Sequence, residues 1–291
     1  MDKKINPTTD VLKISILTAL GLALMKFAAG YFTHSMAVIA SGLDSAMDMA
    51  TSFVNFIAAR EAAKPPDDDH AYGHGKIESL ASLFQSLLIG LSGLFVVFES
   101  IRRFVSGTYL RDLESGIIIM VTSMTLTLLL VWKLGKTTER HHSLILTTEK
   151  LHYSMDVFTN GGAIAALLLV KITGFVFWDL LCSIAVALFV FKISAKIFRN
   201  AVDELLDKSL SPVSKEEIEN LIQGFNPSIG GLHNFRSRRV GKQIFLDFHV
   251  EIRGEEDFRK AHLMTEDLID KIREKYLEAD VTVHYDPEGE R

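Results

Sequence analysis

Cysteine is nearly absent from this 291-residue chain, where Cys182 stands alone in an apolar stretch. No disulfide can form within the chain, and no thiolate set exists to hold a soft ion such as Cu⁺. Excess positive charge is missing too: the formal net charge is −5. The basic residues stand mainly beside apolar stretches, where topology and lipid headgroups account for them, so nothing points to nucleic acid as a partner. No small-residue cleavage site follows the first apolar stretch, so no cleavable signal peptide is expected. An activated nucleophile in a substrate cleft is also lacking, which argues against an enzyme.

What the chain has instead is apolar length. Hydrophobic residues make up 48 % of it and the mean hydropathy is +0.22. They concentrate before about residue 200, in stretches near the length that crosses ~30 Å of hydrocarbon. Six spans are read at roughly 11–32, 35–59, 79–101, 113–133, 151–170 and 175–197. An even number puts both termini on one side. Thirteen basic residues flank the spans on that side: Lys3, Lys4, Lys13, Arg60, Lys64, Lys76, Lys133, Lys136, Arg140, Lys150, Lys192, Lys196 and Arg199. The other side holds Arg102, Arg103, Arg111 and Lys171. The positive-inside rule therefore predicts cytoplasmic termini.

The second span, "VIASGLDSAMDMATSFVNFIA", lacks lysine and arginine yet carries Asp44 and Asp48. Residues four apart share a helix face, separated by about 6 Å along the axis. Ser41, Asp44, Ser45, Asp48, Thr51, Ser52 and Asn55 form a polar stripe at that period. Facing lipid, each ionised Asp would cost about 3 kcal/mol, so the stripe is expected to face the bundle interior or a wet cavity. The fifth span offers a matching pair in "EKLHYSMD", His152 and Asp156. Three carboxylates and one imidazole suit a tetrahedral divalent ion such as Zn²⁺. All four ligands bind metal best when deprotonated, so protons compete with the ion, and imidazole is the group that titrates near neutrality. A metal-free proton relay would also account for the acids. The four residues include no Glu-x-x-His pair, which sets them apart from buried di-metal oxidase bundles.

The loop "KPPDDDHAYGHGKIE" gathers Asp67, His70 and His74, a candidate for a second ion. After residue 210 the pattern becomes αββαβ, a helix-on-sheet domain. "SPVSKEEIENLIQGF" begins a helix, with Ser214 placed three residues before Glu217 as in a capping box. Ile244, Leu246, Phe248, Val250 and Ile252 alternate toward a core. His233, His249, His262, His284 and Asp286 stand on polar faces and could hold one or two ions, if the strands pair so that they meet.

"SGLDSAMD", "DDDHAYGHGKIESLA", "LHYSMD" and "LHNFRSRRVGK" together make the chain resemble the cation diffusion facilitators, most closely the bacterial zinc/iron-efflux type. The resemblance covers nearly the whole chain. It implies an α-helical membrane protein with six transmembrane helices over residues 1–208, and a cytoplasmic α+β, metallochaperone-like domain for metal binding and dimerisation over residues 209–291. It also implies a homodimer in the bacterial inner membrane that exchanges cytoplasmic divalent metal for protons. Asp44, Asp48, His152 and Asp156 map onto the transport site, and Asp67, His70 and His74 onto a loop site. His233, His249 and Asp286 map onto one ion of a binuclear site at the dimer interface, and His262, His284 and Asp286 onto the other. Lys76 and Asp207 are the candidates for a lysine–aspartate interlock near the membrane face.

One His among three carboxylates suits Zn²⁺ and Cd²⁺, while Fe²⁺, Co²⁺ and Mn²⁺ accept the same atom types. The rival reading is a membrane-anchored metal sensor that signals through its tail without ion flux. Such a sensor needs the tail histidines but not the intramembrane quartet. Lys26, inside the first span, fits neither motif set.

Overall fold

The computed structural model describes residues 7–33, 36–106, 114–141, 143–175, 177–254, 257–277 and 279–289. Lys3, Lys4, Arg111 and the first residues of the spans at 35–59 and 113–133 lie outside the described residues. Two compact units are present, Met1–Val202 and Asp203–Arg291.

Six long helices build the first unit: α1 (Pro7–Thr33), α2 (Met36–Ala62), α3 (Lys76–Ser106), α4 (Glu114–His141), α5 (Leu144–Thr173) and α6 (Phe177–Leu205). At 1.5 Å per residue each is roughly 40 Å or longer, more than the hydrocarbon thickness. Three segments among the described residues are apolar enough to cross a membrane by length and composition. They are Thr8–Phe32, Lys76–Arg102 and Leu180–Leu205, with mean hydropathies of 1.8, 2.0 and 2.1. Interior and exterior are inverted relative to a water-soluble bundle. Leu17, Tyr31, Leu91, Phe95, Trp132 and Leu188 are exposed, whereas Ser52, Asn55, Ser82, Gln85, Ser86 and Glu149 are buried. An apolar exterior around a polar interior is stable when the surrounding solvent is lipid.

Two apolar clusters hold this unit. Leu12 of α1, Ala59 of α2, Leu134 of α4, and Ile145, Leu146 and Tyr153 of α5 form one; Ile89 of α3, Met155 of α5, and Val190 and Ile197 of α6 form the other. α5 belongs to both, and its N-terminus is anchored twice. Ser143 caps it by accepting from the Leu146 N–H, and the buried Glu78 Oε2 accepts from Ser143 Oγ at 3.0 Å and from the Leu144 N–H at 3.2 Å. A carboxylate there also meets the positive end of the helix dipole. Gly162 permits close approach of α6, since a Cβ would lie 2.6 Å from Val186 Cγ2.

The second unit has the expected αββαβ order: α7 (Pro212–Gln223), β1 (Ile229–Val240), β2 (Gln243–Ile252), α8 (Phe258–Lys275) and β3 (Ala279–Pro287). β2 is central, antiparallel to β1 and parallel to β3, and α8 makes the crossover that a parallel pair requires. Ile244, Leu246, Phe248, Val250 and Ile252 all point into the core, against Ile218 and Ile222 of α7 and Leu268 and Ile272 of α8. The β1–β2 turn places Gly241 at φ 59°, a conformation glycine adopts without steric cost. One local expectation is corrected. The N-cap of α7 is Ser211, which accepts from the Ser214 N–H with Pro212 in the first turn. Glu217 instead turns to α8, pairing with Lys275 and accepting from Tyr276 Oη.

Candidate metal centres

Asp48 of α2 and His152 and Asp156 of α5 come together between the two helices, with one potential ligand atom from each within 4.8 Å of the others. His152 Nε2 lies 3.2 Å from Asp48 Oδ1. Asp44, the fourth residue of the sequence-predicted quartet, is exposed and falls outside this cluster. Four residues advance a helix by about 400°, so two acids one turn apart differ by about 40° in direction. Asp48, one turn further along, meets α5, and Asp44 stays exposed.

Lys26 finds its place beside these acids. Its ammonium donates to Ser45 Oγ at 2.9 Å and to the Ser41 carbonyl at 3.4 Å, tying α1 to the turn of α2 that bears Asp44. It is therefore paired within the bundle.

Glu149 goes unremarked in the sequence pattern, yet it is fully buried on α5 one turn before His152. It accepts from Ser52 Oγ and Asn55 Nδ2 of α2. Its spacing to His152 is that of a Glu-x-x-His pair, so the helix does carry such a pair. That spacing was the available signal. A single pair on one helix still falls short of a di-metal bundle, which draws such pairs from two helices.

In the loop, Asp67, His70 and His74 again lie within 4.8 Å of one another. His74 Nε2 is 3.3 Å from Asp67 Oδ2, His70 Nδ1 is 3.5 Å from Asp67 Oδ1, and the two imidazoles sit 4.6 Å apart. The Asp67 carboxylate also closes the turn, accepting from the His70 N–H at 2.7 Å and the Asp69 N–H at 3.2 Å. The His70 N–H, aided by the adjacent imidazoles, holds the Asp67 carboxyl below its ordinary range. His74 is largely buried, and its Nδ1 has no partner among the described residues.

Strand register decides the tail. His233, His249 and His284 occupy one row across β1, β2 and β3, His249 pairing with His233 on one side and His284 on the other. Successive imidazoles are 5.1 and 4.6 Å apart. Asp286 sits beneath the row. Its Oδ2 is 3.0 Å from His249 Nδ1 and 3.1 Å from His233 Nε2, and its Oδ1 is 2.9 Å from His284 Nε2. The hydrogen bond from His249, then the three nearby imidazoles, hold the Asp286 carboxyl below its ordinary range. A bulge follows His233, with Asn234 at φ 51° and a register shift before Arg236. His233, His249 and Asp286 form the compact ligand set, and His284 joins through Asp286. His262 falls outside that set; it is exposed on α8, with its ring parallel to that of Phe258 at 6.5 Å. Asp207, at φ 55°, pairs with Arg238 at 3.2 Å within the second unit, and Lys76 opens α3 in the first.

A helical membrane unit that gathers two carboxylates and an imidazole in its interior, followed by a small α/β unit with its own imidazole–carboxylate cluster, defines a membrane protein that handles metal cations. Residues 12–206 match the cation efflux transmembrane domain, and residues 210–288 match the cytoplasmic domain of cation efflux proteins. The chain belongs to this cation efflux family, the cation diffusion facilitators: it is a transporter and not an enzyme, and its cytoplasmic domain is of the dimerising type. It is 32 % identical over 275 residues to the cation-efflux pump FieF of Shewanella oneidensis, covering 94 % of this chain and 92 % of that protein. Protein p34 of Rickettsia prowazekii is 30 % identical over 278 residues, covering 95 % and 91 % respectively. Among solved structures, the zinc form of CzrB is 30 % identical, covers 29 % of this chain and 97 % of that one, and superposes with a TM-score of 0.28.

Proposed function

We propose that the chain exports divalent metal from the cytoplasm in exchange for protons, with Zn²⁺ as the preferred cargo and Cd²⁺ or Fe²⁺ accepted. The convergence of Asp48, His152 and Asp156 carries this reading. Two carboxylates and one imidazole neutralise a divalent ion, and all three must shed protons to bind it. Asp44 supplies the fourth ligand, and α2 and α5 rock together to present the ion to either side. A proton arriving from the far side then displaces the ion.

The supporting arrangement follows the family pattern. Six helices span the inner membrane with both termini in the cytoplasm, and two copies associate through the tails. The tail holds one ion through His233, His249 and Asp286. His262, His284 and Asp286 hold a second ion when the domains pair, and Asp67, His70 and His74 hold a third in the loop. A sensor without flux would need the tail cluster alone and gives no reason for carboxylates at membrane depth, where they are costly.

The test is Zn²⁺ flux in proteoliposomes under an imposed pH gradient, comparing the natural chain with Asp48→Ala. Export is expected to follow the gradient and to vanish in the variant. Gradient-independent flux in folded protein would refute the exchange, and equal flux in both proteins would refute the site. Repeating the assay with Cd²⁺, Fe²⁺ and Mn²⁺ ranks the cargo.

A further inference from the structure

Glu149 is a buried carboxylate that the ligand chemistry above does not use. Both of its oxygens are engaged by α2: Ser52 Oγ donates to Oε1 at 2.5 Å and Asn55 Nδ2 donates to Oε2 at 2.5 Å. The Asn55 amide also donates to Gln85 Oε1 of α3 at 2.9 Å, and Ser52 Oγ lies 2.8 Å from Tyr153 Oη of α5. All of these partners are neutral, and Ser52, Asn55, Gln85, Glu149 and Tyr153 are each exposed by 2 % or less.

The placement is systematic. Ser52 and Asn55 follow Asp48 by four and seven residues, and Glu149 precedes His152 and Asp156 by three and seven. These spacings keep clamp and ligands on the same faces of the same two helices, one turn apart. One turn is about 5.4 Å, too short for a helix to bend appreciably. The rotation and axial register fixed at the clamp are therefore those with which Asp48 meets His152 and Asp156. A metal site tolerates errors of only about 0.2 Å in its ligand distances. Stability alone is a poor reason for the carboxylate, because a buried charged group often adds less than an apolar residue of similar volume.

We propose that Glu149 is a positioning residue for the α2–α5 metal site, holding the two helices in the register that lets Asp48, His152 and Asp156 share one ion. This inference rests on the reading that those three residues bind the transported metal. Its specific content is that hydrogen bonding across the helices, and not charge, is what Glu149 supplies.

The test uses the full-length protein in proteoliposomes for Zn²⁺ transport, and in detergent for the visible absorption of bound Co²⁺. Glu149→Met removes the clamp while keeping volume, and is expected to raise KM about 10- to 100-fold, as supporting residues around metal ligands do. Read as a difference against Asp48→Ala, which keeps the tail and loop sites, the Co²⁺ bands of the membrane site should weaken in parallel at a temperature where the variant is folded. Glu149→Gln keeps one acceptor for Asn55 and a donor for Ser52, and is expected to hold KM within about threefold. Asn55→Ala breaks the clamp from α2, should shift KM in the same direction as Glu149→Met, and serves if that variant does not fold. Asp48→Ala runs alongside. If Asp48→Ala leaves KM and the Co²⁺ spectrum unchanged, the site itself is misassigned. If Asp48→Ala abolishes transport and removes its share of the Co²⁺ absorption, but folded Glu149→Met or Asn55→Ala behaves like the natural chain, only the positioning role falls. Glu149→Gln as impaired as Glu149→Met would overturn the hydrogen-bonding claim in favour of a charge requirement.

Discussion

Replacing Asp286 with Ala removes the acceptor beneath three imidazoles at once, and the structure sets the size of the effect. Hydrogen bonds to a charged group contribute about 1.5–3 kcal/mol each in mutational series. The bond to His284 counts for little, because that ring is 65 % exposed and water competes for it. His249 and His233 are 34 % and 29 % exposed, at 3.0 and 3.1 Å from Asp286 Oδ2. Halving their bonds for partial solvation leaves roughly 1.5–3 kcal/mol for the pair. Amide hydrogen exchange in β2 and β3 reads this loss inside the intact protein. With a chelator present at neutral pH, exchange through opening of the sheet should quicken about 10- to 150-fold.

The pH dependence has a definite sign. The folded-state carboxyl of Asp286 sits below its ordinary range, chiefly through the His249 hydrogen bond. Its stabilisation is therefore complete above the unfolded carboxylate range and is lost only as pH falls through the depressed folded value. The gap between natural chain and variant should persist across the neutral range and close only in acid, below the ordinary carboxylate range. Exchange rates within about twofold of each other at neutral pH would refute the claim that Asp286 organises the row without metal.

Glu78→Ala leaves the first turn of α5 without its buried carboxylate acceptor, and should cost about 1–2 kcal/mol. Thermal unfolding in detergent measures this, with Ser143→Ala expected to add little on top because the two residues share one cap. His262→Ala should lower the tail's metal content by one ion per chain while leaving the ion at His233, His249 and Asp286, a difference read by metal analysis after removal of free ion. An unchanged metal content would remove His262 from the ligand set.

The tail's fold was legible because Ile244 to Ile252 alternate strictly and α8 carries Ala261, Thr265, Leu268 and Ile272 at helical spacing. Its site was only half legible. Alternation says that His249 faces away from the core, but the row with His233 and His284 depends on strand pairing and on a bulge at Asn234, neither of which is local. In the membrane unit the costly acids announced themselves. Which of them meet is a matter of helix packing, and there Asp44 and Asp48 part company. Glu149 was the hardest to see. It stands beside Lys150 near the start of α5, where a charged pair reads as an ordinary helix end, and only its cross-helix partners mark it as interior. At α7 the helix start near Pro212 was legible, but the capping serine is Ser211 and not Ser214.

The parallel pairing of β2 with β3 has a consequence for how the protein is made. His233 and His249 leave the ribosome before the crossover helix, while His284 and Asp286 follow it. A nascent or truncated chain that stops short of β3 owns two imidazoles but not the carboxylate that joins them. The row of imidazoles and the carboxylate that joins them are therefore complete only in a chain that includes β3.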